Sequence, residues 1–286
     1  MSHGPTARRD DHPVSRYHET APPASLRRHL VCTWSQIVSG GAGDYPQRVL
    51  PDGCADIVWI GTSAAIVAGP ATRVVVASLP PGATIVGVRF RPGWGLPGLG
   101  VPASDLRDRQ ATLDELWGRA ADQLSEEVAE HTTVPAKLAA IENALASRWA
   151  GTPPGDPLVT AAVTWLAHHP GQPVHRLAHE LGVSSRQLQR RFVAAVGYGP
   201  KTFQRIARFQ HLLALGRSPG SRRRVPAPAQ PGQLGQLALA AGYADQAHMT
   251  RDVRELAGRS PSMLLGHSAS TLEMSELFKT TVERTP

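Results

Sequence analysis

Only two of the 286 residues are cysteine, Cys32 and Cys54. A disulfide framework and a four-cysteine zinc site are therefore excluded. Lysine is almost missing: Lys137, Lys201 and Lys279 stand against 27 arginines, a bias that a GC-rich genome also produces. Long apolar runs are missing too. The best stretch, 57–88, is interrupted by Gly61, Gly69, Pro70, Arg73, Pro80 and Pro81, so nothing reaches the roughly 20 residues of a membrane helix. The opening MSHGPTARRDDHP holds no apolar segment of the secretory kind. These absences predict a soluble protein of the reducing cytoplasm, with no membrane partner.

What is present is a hydrophobic fraction of 41%, enough for real cores, and 27 glycines with 25 prolines, which call for many turns. The charge is lopsided. Residues 1–155 carry 14 basic and 15 acidic groups, net −1, whereas 156–286 carry 16 and 8, net +8. Within 158–268 the balance is 14 to 4, net +10. A neutral half joined to a polycation points to an anionic partner for the second half, nucleic acid before membrane surface. A merely solvated basic face is the competing reading, and the arrangement of the arginines has to decide.

Composition and periodicity divide the chain into a flexible segment at 1–25, a domain at 26–150, a linker GTPPGDP at 151–157, a second domain at 158–266 and a polar tail at 267–286. In the first domain VVVASL and TIVGVRF read as short strands between proline-glycine turns, and LPDGCADIVWIG as a turn followed by a strand. Ile85, Gly87 and Arg89 alternate with Val86, Val88 and Phe90, giving one partly polar and one apolar face. From Ser104 the pattern turns helical, with Leu113, Leu116 and Trp117 on one face and a further helix over 134–149. From Leu158 to Gly266 every element reads as helix, apart from the break SPGSRRRVPAPAQPGQ at 218–233.

The sharpest pattern is VHRLAHELGVSSRQLQRRFVAAVG at 174–197. Leu177, Ala178 and Leu181 form the inner face of a short helix. Gly182 permits a sharp turn, Val183 plugs it, and Ser184 is placed to cap the next helix. There Leu188, Phe192 and Ala195 face inward, while Arg186, Gln189, Arg190 and Val193 form the opposite stripe. This is the grammar of a helix-turn-helix. Arginine forks match the edge of guanine, and glutamine that of adenine, in a major groove. The pattern recurs at 237–253, where Leu237, Ala238, Ala241, Gly242 and Tyr243 overlay Leu177, Ala178, Leu181, Gly182 and Val183. With one extra turn residue, Met249, Thr250, Arg251 and Val253 overlay Leu188, Gln189, Arg190 and Phe192. The outer face of the second copy is Gln246, Ala247, Thr250 and Arg251. Between the copies PKTFQRIARFQHLLALG fits one helix, a strut of about 25 Å that could set two probes near one DNA turn apart.

At these residues the final ~110 positions resemble the DNA-binding domain of the AraC/XylS transcriptional regulators. The likeness is carried by the doubled helix-turn-helix, by GVSSRQLQRRF and by AAGYADQAHMTR with AGRSPSMLL. It implies an α+β protein: a β-rich, barrel-like N-terminal domain with trailing helices, then an all-α domain of two helix-turn-helix units joined by a linker helix. It also implies a sequence-specific transcription factor acting on double-stranded DNA, not an enzyme and without a cofactor. Base contacts would fall on Arg186, Gln189, Arg190, Gln246, Ala247, Thr250 and Arg251, with Ser184 and Thr202 on the phosphate side. Met249 and Val253 stand where the family usually has an aromatic residue, and the loop before the second unit, with Arg222, Arg223 and Arg224, is longer than usual.

LPDGCADIVWIG, GVRFRPGWGLPGLGVPASDLRDR and LDELWG look like the sensor-type domain that accompanies one branch of these regulators. That resemblance implies a small-molecule effector, a homodimer, or both, and contact with RNA polymerase in an activator. Pocket candidates are Asp52, Cys54, Asp56, Trp59, Arg89, Arg91 and Trp94. Each also has a structural reading: Asp52-Gly53 suits a turn, Trp59 and Trp94 suit a core, and Arg89 suits a pair with Asp56.

Other motifs fail on context. Gly93 to Gly98 spells G-x-G-x-x-G, but Pro97 opens no helix to hold a pyrophosphate. Gly216 to Gly220 spells G-x-S-x-G after a helix, not a strand. His175 and His179 lack both the glutamate and the third ligand of a metalloprotease site. A DNA-linked repair or modification enzyme, with Cys54 as its nucleophile, is the alternative function.

Overall fold

The computed structural model describes residues 14–62, 64–94, 96–152, 155–217 and 232–266. Residues 1–13, nearly all of the 218–233 break with its three arginines, and the 267–286 tail lie outside the described residues.

Among the described residues, eight strands, four α-helices and one short 3-10 turn (Leu96–Leu99) make the first part. The strands are β1 (Ser15–Thr20), β2 (Leu30–Val38), β3 (Tyr45–Val49), β4 (Ala55–Ile60), β5 (Ile66–Ala68), β6 (Val75–Leu79), β7 (Thr84–Phe90) and β8 (Gln110–Thr112). Six of them form an antiparallel sheet in the order β1-β2-β7-β4-β5-β8, and β3 pairs with β6 in a second sheet. The arrangement is barrel-like without closing.

Two expectations are corrected here. Ser15–Thr20 lies inside the segment expected to be flexible, yet it pairs along its whole length with β2, from Ser15 opposite Val38 to Thr20 opposite Thr33. Gln110–Thr112, in a stretch expected to be helical, extends the far edge by pairing with β5. Three residues are too few to show a period, so the pairing is legible only from the partner strand.

The helices α1 (Ala103–Leu106), α2 (Leu113–Trp117), α3 (Arg119–Glu130) and α4 (Val134–Trp149) follow. Thr133 caps α4 by accepting from the Ala136 amide, and Pro135 suits its first turn. Leu138, Ile141, Leu145 and Trp149 then recur on its buried face. That face packs with Ile57, Trp59, Val86, Val88 and Phe90 into one core on the helix side of the sheet. Trp149 stacks on Phe90 at 5.6 Å.

In the second part every regular element among the described residues is a helix: α5 (Pro157–His168), α6 (Val174–Glu180), α7 (Ser185–Val196), α8 (Pro200–Arg217), α9 (Gln233–Ala240), α10 (Gln246–Ala257) and α11 (Pro261–Gly266). Gln233, expected in the break, already opens α9. No helix among the described residues is long and apolar enough to cross a membrane.

A second core runs through both parts. It joins Cys32, Trp34 and Ile85 of the sheet, and Cys54 in the turn before β4, to Val159, Leu188, Phe192, Phe203, Phe209 and Val253 of the helices. Polar contacts reinforce the seam. Gln210 Nε2 of α8 donates to the Pro51 carbonyl at 2.6 Å. Arg48 Nη2 of β3 donates to the Ala257 carbonyl at 2.6 Å, placing a cation at the C-terminus of α10 where the helix dipole favours it.

Candidate nucleic-acid interface

The two helix-turn-helix units agree in detail. In each, a glycine with positive φ follows the first helix: Gly182 at 64° and Gly242 at 89°. The next amide reaches back alike, Val183 to the Ala178 carbonyl at 3.1 Å and Tyr243 to the Ala238 carbonyl at 2.9 Å. Ser184 caps α7 and Asp245 caps α10 through their side-chain oxygens. Both helices run 12 residues and end in a left-handed glycine, Gly197 or Gly258. From cap to cap the offset is 61 residues, so Arg190 corresponds to Arg251.

Burial sorts the faces. Leu188, Phe192 and Val196 of α7, and Met249, Val253 and Leu256 of α10, are buried. Arg186, Gln189, Arg190, Gln246, Ala247 and Arg251 are exposed, and Thr250 is half-buried. Met249 and Val253, short of an aromatic, fill their places with no exposure at all. Among the described residues the ion pairs of this part use Arg176, Arg191, Arg205 and Arg208 instead, which leaves the outward arginines available to an anion.

Several side chains are partly committed. Ser184 Oγ accepts from the Gln187 amide at 3.2 Å in a reciprocal capping box. The Thr250 hydroxyl donates to the Gln246 carbonyl at 2.8 Å. The Gln189 amide lies so close over Gly199 that a β-carbon there would overlap it. Thr202 is half-buried at the start of α8. On α10 a shallow groove of about 510 Å³ is lined by Gln246, Ala247, Thr250, Arg251 and Arg254. Arg254 was missed by the sequence reading, although its spacing of three from Arg251 and four from Thr250 places it on that stripe.

Residues 177–266 match a family described as a helix-turn-helix domain. This region is a helix-turn-helix domain. The helix-turn-helix domain is preceded by a match, over residues 18–112, to a domain of unknown function named DUF6597. No curated protein matches the chain. Among solved structures, a probable AraC family transcriptional regulator from Rhodopseudomonas palustris CGA009 is 25% identical over 38% of this chain and 95% of its own, with a TM-score of 0.31. ToxT from Vibrio cholerae O395 is 9% identical over 89% of this chain and 97% of its own, TM-score 0.40. Wild-type ToxT from Vibrio cholerae strain SCE256 with an unsaturated fatty acid bound is 9% identical over 92% and 98%, TM-score 0.41.

The seven candidates in the N-terminal part separate into three places. Asp52, Cys54, Asp56 and Arg89 come together. Arg89 stands opposite Asp56 on β4 and Cys32 on β2, so all three point to one side of the sheet. Its Nε lies 3.2 Å from Asp56 and 3.6 Å from Asp52, and Nη1 lies 3.6 Å from Glu19. Burial opposes the guanidinium charge, but Asp56 and Asp52 outweigh it and hold Arg89 well above its ordinary value. Burial pushes Asp52 up to about 6 despite Arg89. Trp34 reaches across β7 to donate to Asp56 at 2.9 Å, and only a glycine at 87 leaves room for its ring. The Tyr17 hydroxyl donates to Glu19 at 2.7 Å. Glu19 and Tyr17 escaped the sequence reading because they sit on β1.

Trp59 is a correction: it lies in the helix-side core, three residues and hence one face away from Asp56. Arg91 and Trp94 stand apart from the cluster. Arg91 borders a small cleft against Ala195 and Val196 of α7. Trp94 meets His29 edge-on at 6.2 Å. Among the described residues no group of three His, Cys, Asp or Glu is placed to hold a metal.

Proposed function

We propose that the protein is a sequence-specific transcription factor of the AraC/XylS type, working in the cytoplasm on double-stranded DNA. It inserts α7 and α10 into neighbouring major-groove segments. The observation that carries this reading is the pair of helices, equal in length and each capped by a side-chain oxygen and closed by a left-handed glycine, whose outward stripes hold Arg186, Gln189 and Arg190, then Gln246, Ala247, Thr250 and Arg251. Arginines first neutralise phosphate, so affinity falls steeply with salt. Base edges then select sequence, each good pair discriminating by about 1–3 kcal/mol. Ser184 and Thr202 flank the stripes on the phosphate side.

The sheet domain regulates: it binds a small-molecule effector, supports a homodimer, or both, and an activator would also touch RNA polymerase. Its shared core with the helix-turn-helix domain supports this reading, since an effector acts only through states it binds differently. The enzyme alternative loses its nucleophile. Cys54 is buried, and burial with Asp52 beside it pushes the thiol well above its ordinary value, the reverse of activation.

Selection of bound duplexes from a random pool tests the proposal. Two half-motifs about one turn apart are expected. Enrichment of no sequence would refute it.

A further inference from the structure

The outward stripes decide what could be read, but something must hold each helix at its angle. At the position just after Arg190, Arg191 turns back toward the scaffold. Its Nε donates to Asp156 Oδ2 at 2.6 Å and its Nη2 to Oδ1 at 2.5 Å, a two-pronged grip. Asp156 is the N-cap of α5, where it also accepts from the Leu158 amide at 2.9 Å. Both ends of this pair are thus fixed, one by the recognition helix and one by the helix that precedes the unit.

The corresponding position in the second unit, 61 residues on, is Asp252. It is buried and receives Arg205 Nε at 3.1 Å, with Arg208 Nη2 at 3.6 Å, both from α8. Arg205 also reaches Glu255 at 2.5 Å, one turn further along α10, and His248 Nε2 lies 3.6 Å from Asp252. The same site in the repeat therefore carries an ionic tie to the helix that precedes its own unit, with the signs exchanged.

We infer that Arg191 and Asp252 are positioning residues, each setting the angle at which its recognition helix meets DNA, and that their opposite charges keep each helix on its own scaffold. Set against α8, Arg191 would face Arg205 and Arg208; set against α5, Asp252 would face Asp156. Like charges in such places cost the wrong packing and leave the right one untouched. The inference rests on the DNA-reading function proposed above and names the residues that aim it.

The test is random-pool selection with the full chain, run on wild type, Arg191→Met and Arg205→Met, each first checked by circular dichroism for native helix content. Arg191→Met is expected to blunt preference at least tenfold in the half-motif read by α7 and leave the other half-motif intact. Arg205→Met should do the reverse. Arg191→Lys, which keeps the charge but loses the fork, should fall between; it takes the place of Arg191→Met if that variant unfolds. If wild type selects both half-motifs and each variant weakens them equally, or neither, the positioning role is overturned. If wild type selects no sequence, the DNA-reading function itself falls, which the wild-type arm shows separately.

Discussion

Arginine does opposite work in the two parts of this molecule. In the sheet, Arg89 is sealed among Asp56, Asp52 and Glu19, with its side chain 2% exposed. On α7 and α10, Arg186, Arg190 and Arg251 stand in solvent, and the acids nearby are matched to other arginines. Inside, the guanidinium neutralises carboxylates that could not otherwise be buried together. Outside, it is kept from internal carboxylates so that an external anion can take it. Composition, with its 27 arginines, says nothing of which fate befalls each; pairing across strands and facing along helices decide it.

The largest break in this contrast is expected from Arg89→Met. Three carboxylates would share the interior without their counter-charge, and removing one partner of such a group costs about 3–5 kcal/mol. Thermal unfolding of this variant beside Arg186→Met measures it, and the exposed change should stay within about 0.5 kcal/mol. Similar losses in both would erase the distinction.

Next comes Arg190→Ala, with little effect on unfolding but a loss of about 1–3 kcal/mol on selected DNA. Competition between a selected duplex and random DNA reads it; equal losses on the two would argue against base recognition.

Two acids sharpen the contrast through pH. Burial raises Asp52 to about 6, above the ordinary carboxylate value near 3.8. A raised acid contributes stability below its unfolded value and loses it as pH climbs through the folded one. Asp52→Asn should therefore gain up to about 3 kcal/mol relative to wild type between pH 4 and pH 7.5 in urea unfolding. Asp156 runs the other way. The Arg191 hydrogen bond holds its carboxyl below the ordinary range. Asp156→Asn should thus lose stability at neutral pH, and the deficit should fade as acid titrates the wild-type carboxylate through its folded value. Parallel pH curves for the two variants would contradict both assignments.

The smallest effect is expected at Arg254, on the outer end of the α10 stripe. Arg254→Ala should weaken binding evenly across sequences and flatten the dependence of affinity on salt by about one counterion. A change confined to one base position would make it a reader of sequence instead.

What the sequence disclosed was local. The bounds of α4, the faces of β7 and the stripe of α7 follow from caps and periods within a dozen residues. The recruitment of Glu19 and Tyr17 to Arg89 was hidden, because it depends on β1 lying beside β2 and β2 beside β7. The grip of Arg191 on Asp156 was hidden for the same reason, at a separation of 35 residues. Trp59 was misplaced although its signal was present: an odd separation from Asp56 along one strand sends the two to opposite sides. The resemblance to known regulators located the doubled helices, but it could not tell that residue 191 faces inward while 190 does not.

Strand β3 carries a rigid demand on its own length. Gln47 points inward to accept from Gln36 at 2.7 Å, and its neighbour Arg48 points outward to the end of α10. Insertion or deletion of one amino acid within the strand would turn it inside out, burying a guanidinium and leaving α10 to face an amide. Relatives that keep this architecture should vary freely in the loops flanking β3 and hardly at all in the count of residues between its ends.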